Sequence, residues 1–190
     1  LFGPIPRDAA WGLFFVYKDI LYHTFMIMKT YVITLSQVFP VTHARAGEET
    51  GFKDKFLTAL NETVGDWPKV HTIRANYELW KKRFEQIERG EACLSIRQWT
   101  GKPYRSKQVE LARLTRDNGI GIQKLEIVKE KWFQEPIWIG YVEGVSQEGF
   151  RFFPTLAKND GLSFDDWKEW FKNYNLSQPM AIIHFTSYRY

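Results

Sequence analysis

Cysteine is nearly absent from this chain: Cys93 stands alone among 190 residues. No disulfide can close within the sequence, and a reducing, cytoplasmic setting is expected. The surroundings of Cys93, from Glu91 to Arg97, read as a strand, which suits a buried structural thiol better than a nucleophile. Histidine is scarce as well. His23, His43, His71 and His184 are far apart, and no Cys, His or Asp group has ligand spacing, so neither a metal nor a cofactor is expected. Long apolar runs are missing too. The most apolar stretch, 9–27, is broken by Lys18, Asp19 and His23, which argues against a membrane span. It also lacks the basic lead and small-residue cleavage site of a signal peptide. There is no internal repeat, low-complexity tract or block of one charge. The net charge is only +4, which permits nucleic-acid binding without requiring it.

What the chain has in quantity is aromatic side chains: eight Trp, nine Tyr and fifteen Phe. So many rings imply a packed core with some rings left outside, where bases can stack. The length suits one domain. Met28-Lys29-Thr30 resembles a translation start leading into a strand, so the domain is expected to span 28–190. Residues 1–27 are read as an extension, with a helix packed on the domain as the alternative.

Within 28–190 the patterning predicts a strand from Tyr31 to Phe39, closed by Pro40. Phe52, Phe56, Leu57 and Leu60 recur at helical spacing. Asp66-Trp67-Pro68 reads as a turn, and Asn76 as the cap of a helix burying Tyr77, Trp80, Phe84 and Ile87, stopped by Gly90. Further strands are predicted over Ala92–Trp99, Val109–Leu114, Ile120–Val128, Ile137–Val142 and Met180–Tyr188. Ser163 is read as the cap of a last helix, Phe164–Tyr174. Strands that mostly follow one another without helical crossovers predict an α+β fold around an antiparallel, barrel-like sheet.

Two segments carry candidate chemistry. In Lys69-Val70-His71-Thr72-Ile73-Arg74, strand alternation places Thr72 and Arg74 on one face, and a bend after Pro68 would bring Lys69 to them. A desolvated Lys can serve as base for a Thr hydroxyl, and Arg74 can hold a carbonyl, a phosphate or a structural carboxylate. A solvated surface strand is the plainer reading of the same spacing. His71 is expected to face away from Thr72 as a structural or edge residue. The second segment, Trp99 to Lys107, interleaves Trp99, Lys102, Tyr104, Arg105 and Lys107 without an acid. It suits phosphate contacts and base stacking as well as it suits an ordinary hairpin loop. Asp160, before Gly161, is read either as a turn aspartate or as a carboxylate facing Lys69.

On these residues the chain resembles the ASCH domains of the PUA-like superfamily, small barrel-like modules associated with RNA. Lys69 and Arg74 match the family's Gly-x-Lys-x-x-Glu-x-Arg pattern, with Thr72 in place of Glu and Trp67 in place of Gly. The Thr form is similar to the bacterial N4-acetylcytidine amidohydrolases, which carry Lys-x-x-Thr-x-Arg and use a downstream Glu, where Asp160 would stand here. His71-Thr72-Ile73-Arg74 and the segment from Gly101 to Lys107 also look like ASCH proteins of phages and gut bacteria. The resemblance implies a PUA-like mixed β-barrel with flanking helices and a nucleoside or RNA as partner. Its implied activity is hydrolysis of the amide of an N-acylated cytidine by Lys69, Thr72 and Asp160, with Arg74, Trp99, Lys102, Tyr104 and Arg105 binding substrate. A non-catalytic RNA or modified-nucleotide binding module is the alternative, and a protein-interaction domain a third. No membrane and no obligate protein partner is expected.

Overall fold

The computed structural model describes residues 28–61, 67–132, 135–147 and 151–190. The extension expected over 1–27 and Asp66 of the expected turn lie outside the described residues. The strands are β1 (Lys29–Leu35), β2 (His71–Ala75), β3 (Ala92–Trp99), β4 (Gln108–Leu114), β5 (Gly121–Trp132), β6 (Glu135–Val142), β7 (Val145–Gln147) and β8 (Met180–His184). Four α-helices are described: α1 (Phe52–Leu60), α2 (Tyr77–Glu88), α3 (Phe152–Asn159) and α4 (Phe164–Phe171).

The fold is α+β, with two sheets. One is three-stranded in the order β1-β3-β4, the other five-stranded in the order β2-β8-β5-β6-β7. No closed barrel forms among the described residues, so the barrel-like closure expected from the strand order is replaced by two open sheets. The expectation of antiparallel pairing also needs correction, because β1 and β3 are parallel, with Leu35 opposite Gln98. The connection between them carries α1, β2 and α2, and a crossover of that length allows parallel pairing where a hairpin cannot.

Local sequence explains most elements. Asn76 adopts the left-handed conformation (φ 63°) and its side chain accepts from the Leu79 N–H, capping α2. The Trp80, Phe84 and Ile87 stripe of α2 is buried. Helix α2 packs on β3 of one sheet and on β5 and β8 of the other. Strand β8 is buried along its whole length, as suits a strand between β2 and β5, and it reads as an apolar run rather than an alternation. Around it lie Phe56, Leu125, Leu156, Trp167 and Phe185. Strand β1 stops at Leu35 rather than Phe39, because Ser36 folds back to donate to the Val38 carbonyl at 2.6 Å. Cys93 is buried beside Thr30 and Arg113.

Helix α3 and the short edge strand β7 were not expected. Pro154 in the first turn of α3 looks like a breaker, yet a first-turn N–H has no intrahelical acceptor to lose. Among the described residues no helix is long and apolar enough to cross a membrane, and no three His, Cys, Asp or Glu side chains are grouped to hold a metal.

Candidate active site

Lys69 lies just before β2, in a bend held from both sides. Its N–H donates to the Lys55 carbonyl of α1 at 2.9 Å, and the Val70 N–H donates to Asn159 at the end of α3 at 2.9 Å. The strand register starts only at His71. This frees Lys69 from strict alternation, so that it shares a cavity with Thr72 and Arg74. Strand β2 sits at the sheet edge, with Thr72 opposite Ile183 and Arg74 opposite Ala181 of β8.

Asp160 caps the C-terminus of α3, its N–H donating to the Leu156 carbonyl at 3.0 Å. Gly161 then turns the chain at φ 81°. A side chain at 161 would press within 3.3 Å of Lys69 Cβ and 3.4 Å of Lys55 Cδ, and the positive φ itself favours glycine there. The turn buries Asp160, and the Lys69 ammonium donates to both its Oδ1 and its main-chain carbonyl. Lys69 is 1% exposed and Asp160 4%. The face of Phe52 lies 4.2 Å from Lys69 Nζ, a cation–π contact.

Burial dominates the electrostatics. It pulls the Lys69 amine from 10.5 down to about 8, against the attraction of Asp160 and with help from the Arg74 and Lys55 charges. Burial likewise pushes the Asp160 carboxyl up, opposed by Lys69 and Arg74. Both partners are therefore displaced toward their neutral forms, and a proton passes between them more easily than between solvated groups.

Arg74 donates to the main-chain carbonyls of Ile73 at 3.1 Å and Thr34 at 3.2 Å, joining the edge strands of the two sheets. Burial lowers its guanidinium pKa, opposed by Asp160 and Tyr174, yet a guanidinium stays charged. Thr72 is buried, and its hydroxyl makes no hydrogen bond among the described residues. The cavity these groups share with Phe52, Leu162 and Tyr174 has a volume of about 180 Å³. A cavity of about 150 Å³ takes one benzene ring, and whole-ligand pockets start near 300 Å³. One pyrimidine ring fits; a complete nucleoside would keep its sugar outside.

The other sequence-predicted binders are placed elsewhere. Trp99, Lys102, Tyr104 and Arg105 belong to the β3–β4 hairpin and none lines the cavity. The loop is closed by Thr100 N–H donating to Lys107 O at 2.8 Å and by Ser106 donating to Lys102 O at 3.0 Å. It presents Tyr104 at φ 62° and 90% exposed, its ring 5.3 Å from that of Trp99. Because β1 and β3 are parallel, this loop leaves the sheet at the same end as Thr34, Leu35 and Ser36, which do line the cavity.

His71 faces the core, as expected. It is buried against His184, and its Nε2 pairs with the Tyr190 hydroxyl at 2.8 Å. Phe52 and Lys55 went unrecognised as site residues, since helical spacing marks Phe52 only as core and Lys55 only as a surface cation. Lys55 donates to the Thr50 and Gly161 carbonyls at 3.0 and 2.7 Å, fastening α1 to the turn after Asp160. Trp67 lines a neighbouring open groove of about 500 Å³ with Arg45, Lys55 and Asp166, and Leu162 lines both spaces.

No family model matches the chain, and no curated protein and no solved structure matches it either.

Proposed function

We propose that this chain is an ASCH-type protein of the PUA-like superfamily, cytoplasmic, acting on modified nucleosides by hydrolysing the amide of an N4-acylated cytidine. The observation that carries the reading is one small cavity holding a Lys lowered to about 8, its carboxyl partner, an uncommitted Thr hydroxyl and a guanidinium.

In this reading the base enters the cavity with its acyl amide between Thr72 and Arg74. Neutral Lys69 takes the Thr72 proton, and the alkoxide attacks the acyl carbonyl carbon. Arg74 faces the oxygen that becomes negative. The C–N bond breaks as the exocyclic nitrogen receives a proton from the Lys69–Asp160 pair, leaving cytidine and an acyl-threonine ester. Water then cleaves the ester, releasing the carboxylate and restoring Thr72. Incubation with N4-acetylcytidine, followed by chromatography, should yield cytidine, at a rate that rises toward pH 8 as Lys69 loses its proton. Thr72→Ala should abolish turnover while costing about 1 kcal/mol of stability for one buried methyl, because its hydroxyl holds no partner among the described residues. An intact protein that leaves a panel of acylated nucleosides unchanged would remove the hydrolase.

A binding module is the second reading. Its support is that Lys69 is bonded to Asp160 and not to Thr72, while Tyr104, Lys102 and Arg105 are exposed on a loop that leaves its sheet at the same end as Thr34 to Ser36. It predicts RNA affinity that declines with added salt and with Arg105→Ala.

A further inference from the structure

Arg74 enters the cavity as a cation that no acid hydrogen-bonds among the described residues. Its only hydrogen-bond partners among the described residues are the carbonyls of Ile73 and Thr34, which leave donors of its five N–H groups unused. Asp160, the one carboxylate in the lining, is engaged with Lys69 through Oδ1. While the Lys69–Asp160 pair keeps its proton, two cations stand against one acid and the space carries a surplus of one positive charge. The Thr72 hydroxyl is equally uncommitted, and Phe52, Leu162 and Phe171 supply an apolar wall.

We propose that this cavity is a carboxylate pocket, which binds a small monocarboxylate such as acetate with its oxygens on Arg74 and the Thr72 hydroxyl and its alkyl end toward the apolar wall. The planar fork of a guanidinium matches a planar carboxylate. A surplus of one charge balances a monoanion and not the near-dianion of inorganic phosphate. The volume of about 180 Å³ holds an anion of two to four carbons. The inference rests on the hydrolase reading only for the source of the anion, since amide cleavage would release the acyl group as a carboxylate in this same space. The cavity then retains its product, and small carboxylates compete with acylated substrate.

The test is a titration of the full chain with sodium acetate at constant ionic strength. It follows the ¹H–¹⁵N resonances of the Thr72 and Asp160 amides and the Arg74 Nε–H. Saturable shifts at these groups are expected, with a dissociation constant on the order of millimolar for so small a ligand. Acetamide, of the same shape without the charge, should bind at least about tenfold more weakly, and Arg74→Met should weaken acetate to a similar degree. Should Arg74→Met fail to fold, acetate against acetamide on the unaltered chain decides alone. Equal binding of acetamide, tighter binding of phosphate, or no shift at these groups would overturn the proposal. Acetate binding without amide hydrolysis keeps the pocket and removes the hydrolase, while hydrolysis without acetate binding or inhibition does the reverse.

Discussion

Breaking the Lys69–Asp160 pair from either side should destabilise the protein, and removing both partners should not. Asp160→Leu leaves the ammonium with the main-chain carbonyl of residue 160 and the Phe52 face, 4.2 Å away, as its remaining partners among the described residues. Lys69→Met leaves a buried carboxylate with no cation within bonding distance among the described residues. Orphaning one member of a buried pair costs about 3–5 kcal/mol. The lower end applies here, because Lys69 already sits at about 8 and the orphaned group escapes part of the penalty by turning neutral. Each single variant should lose about 3 kcal/mol, which for a chain of this size lowers the melting temperature by about 6–12 °C. Lys69→Met with Asp160→Leu should lie within about 1 kcal/mol of the parent, since apolar replacement of a whole buried pair is often neutral. Urea unfolding followed by tryptophan fluorescence measures all four proteins as a double-mutant cycle. A double variant whose loss equals the sum of the singles would refute the reasoning, because the two groups would then act independently.

Acid should destabilise the fold well above the carboxylate range. Burial lowers His184 from 6.5 to about 3 and His71 well below 6.5, so below pH 6.5 the unfolded chain binds protons that the folded one refuses. Stability should fall by about 1.4 kcal/mol per pH unit for each histidine, and His184→Gln should halve the slope measured by urea unfolding between pH 6.5 and 5. Gly140→Ala should cost about 1–3 kcal/mol in thermal unfolding, because its methyl would sit 2.3 Å from Phe152 Cε1; pairing it with Phe152→Leu should recover part of the loss. Tyr190→Phe should cost about 1–2 kcal/mol by urea unfolding, as His71 Nε2 and the Asn159 amide, now 2.8 and 3.0 Å from the hydroxyl, lose a buried partner.

The elements whose signal is local were legible before any coordinates. Helix α2 declares itself through Asn76, its apolar stripe and Gly90, and β3, the Gly101–Ser106 loop and β4 follow in the expected places. Helix α3 was hidden because Phe152-Phe153-Pro154 carries a nominal breaker and no good cap: Arg151 stands at its N-cap with no side-chain bond. The parallel β1–β3 pair and the division into two sheets left no local trace, since each depends on which strands meet after long connections.

The candidate site divides the same way. Residue types and spacing offered Lys69, Thr72 and Arg74 as a candidate group beside the plainer reading of a solvated surface strand, and Asp160 as either a turn aspartate or a carboxylate facing Lys69. They did determine that the Trp99–Lys107 loop is basic, aromatic and free of acids. Tertiary structure alone decided that Lys69 is bonded to Asp160 across 91 positions of sequence. It also decided that Thr72 is left uncommitted among the described residues, and that the basic loop does not line the cavity. A side chain's chemistry is local and travels with the residue. Its burial, and hence its charge and its partner, is set by segments far away in the chain: here α1 and the turn after α3, which close over Lys69 and pull its pKa down to about 8.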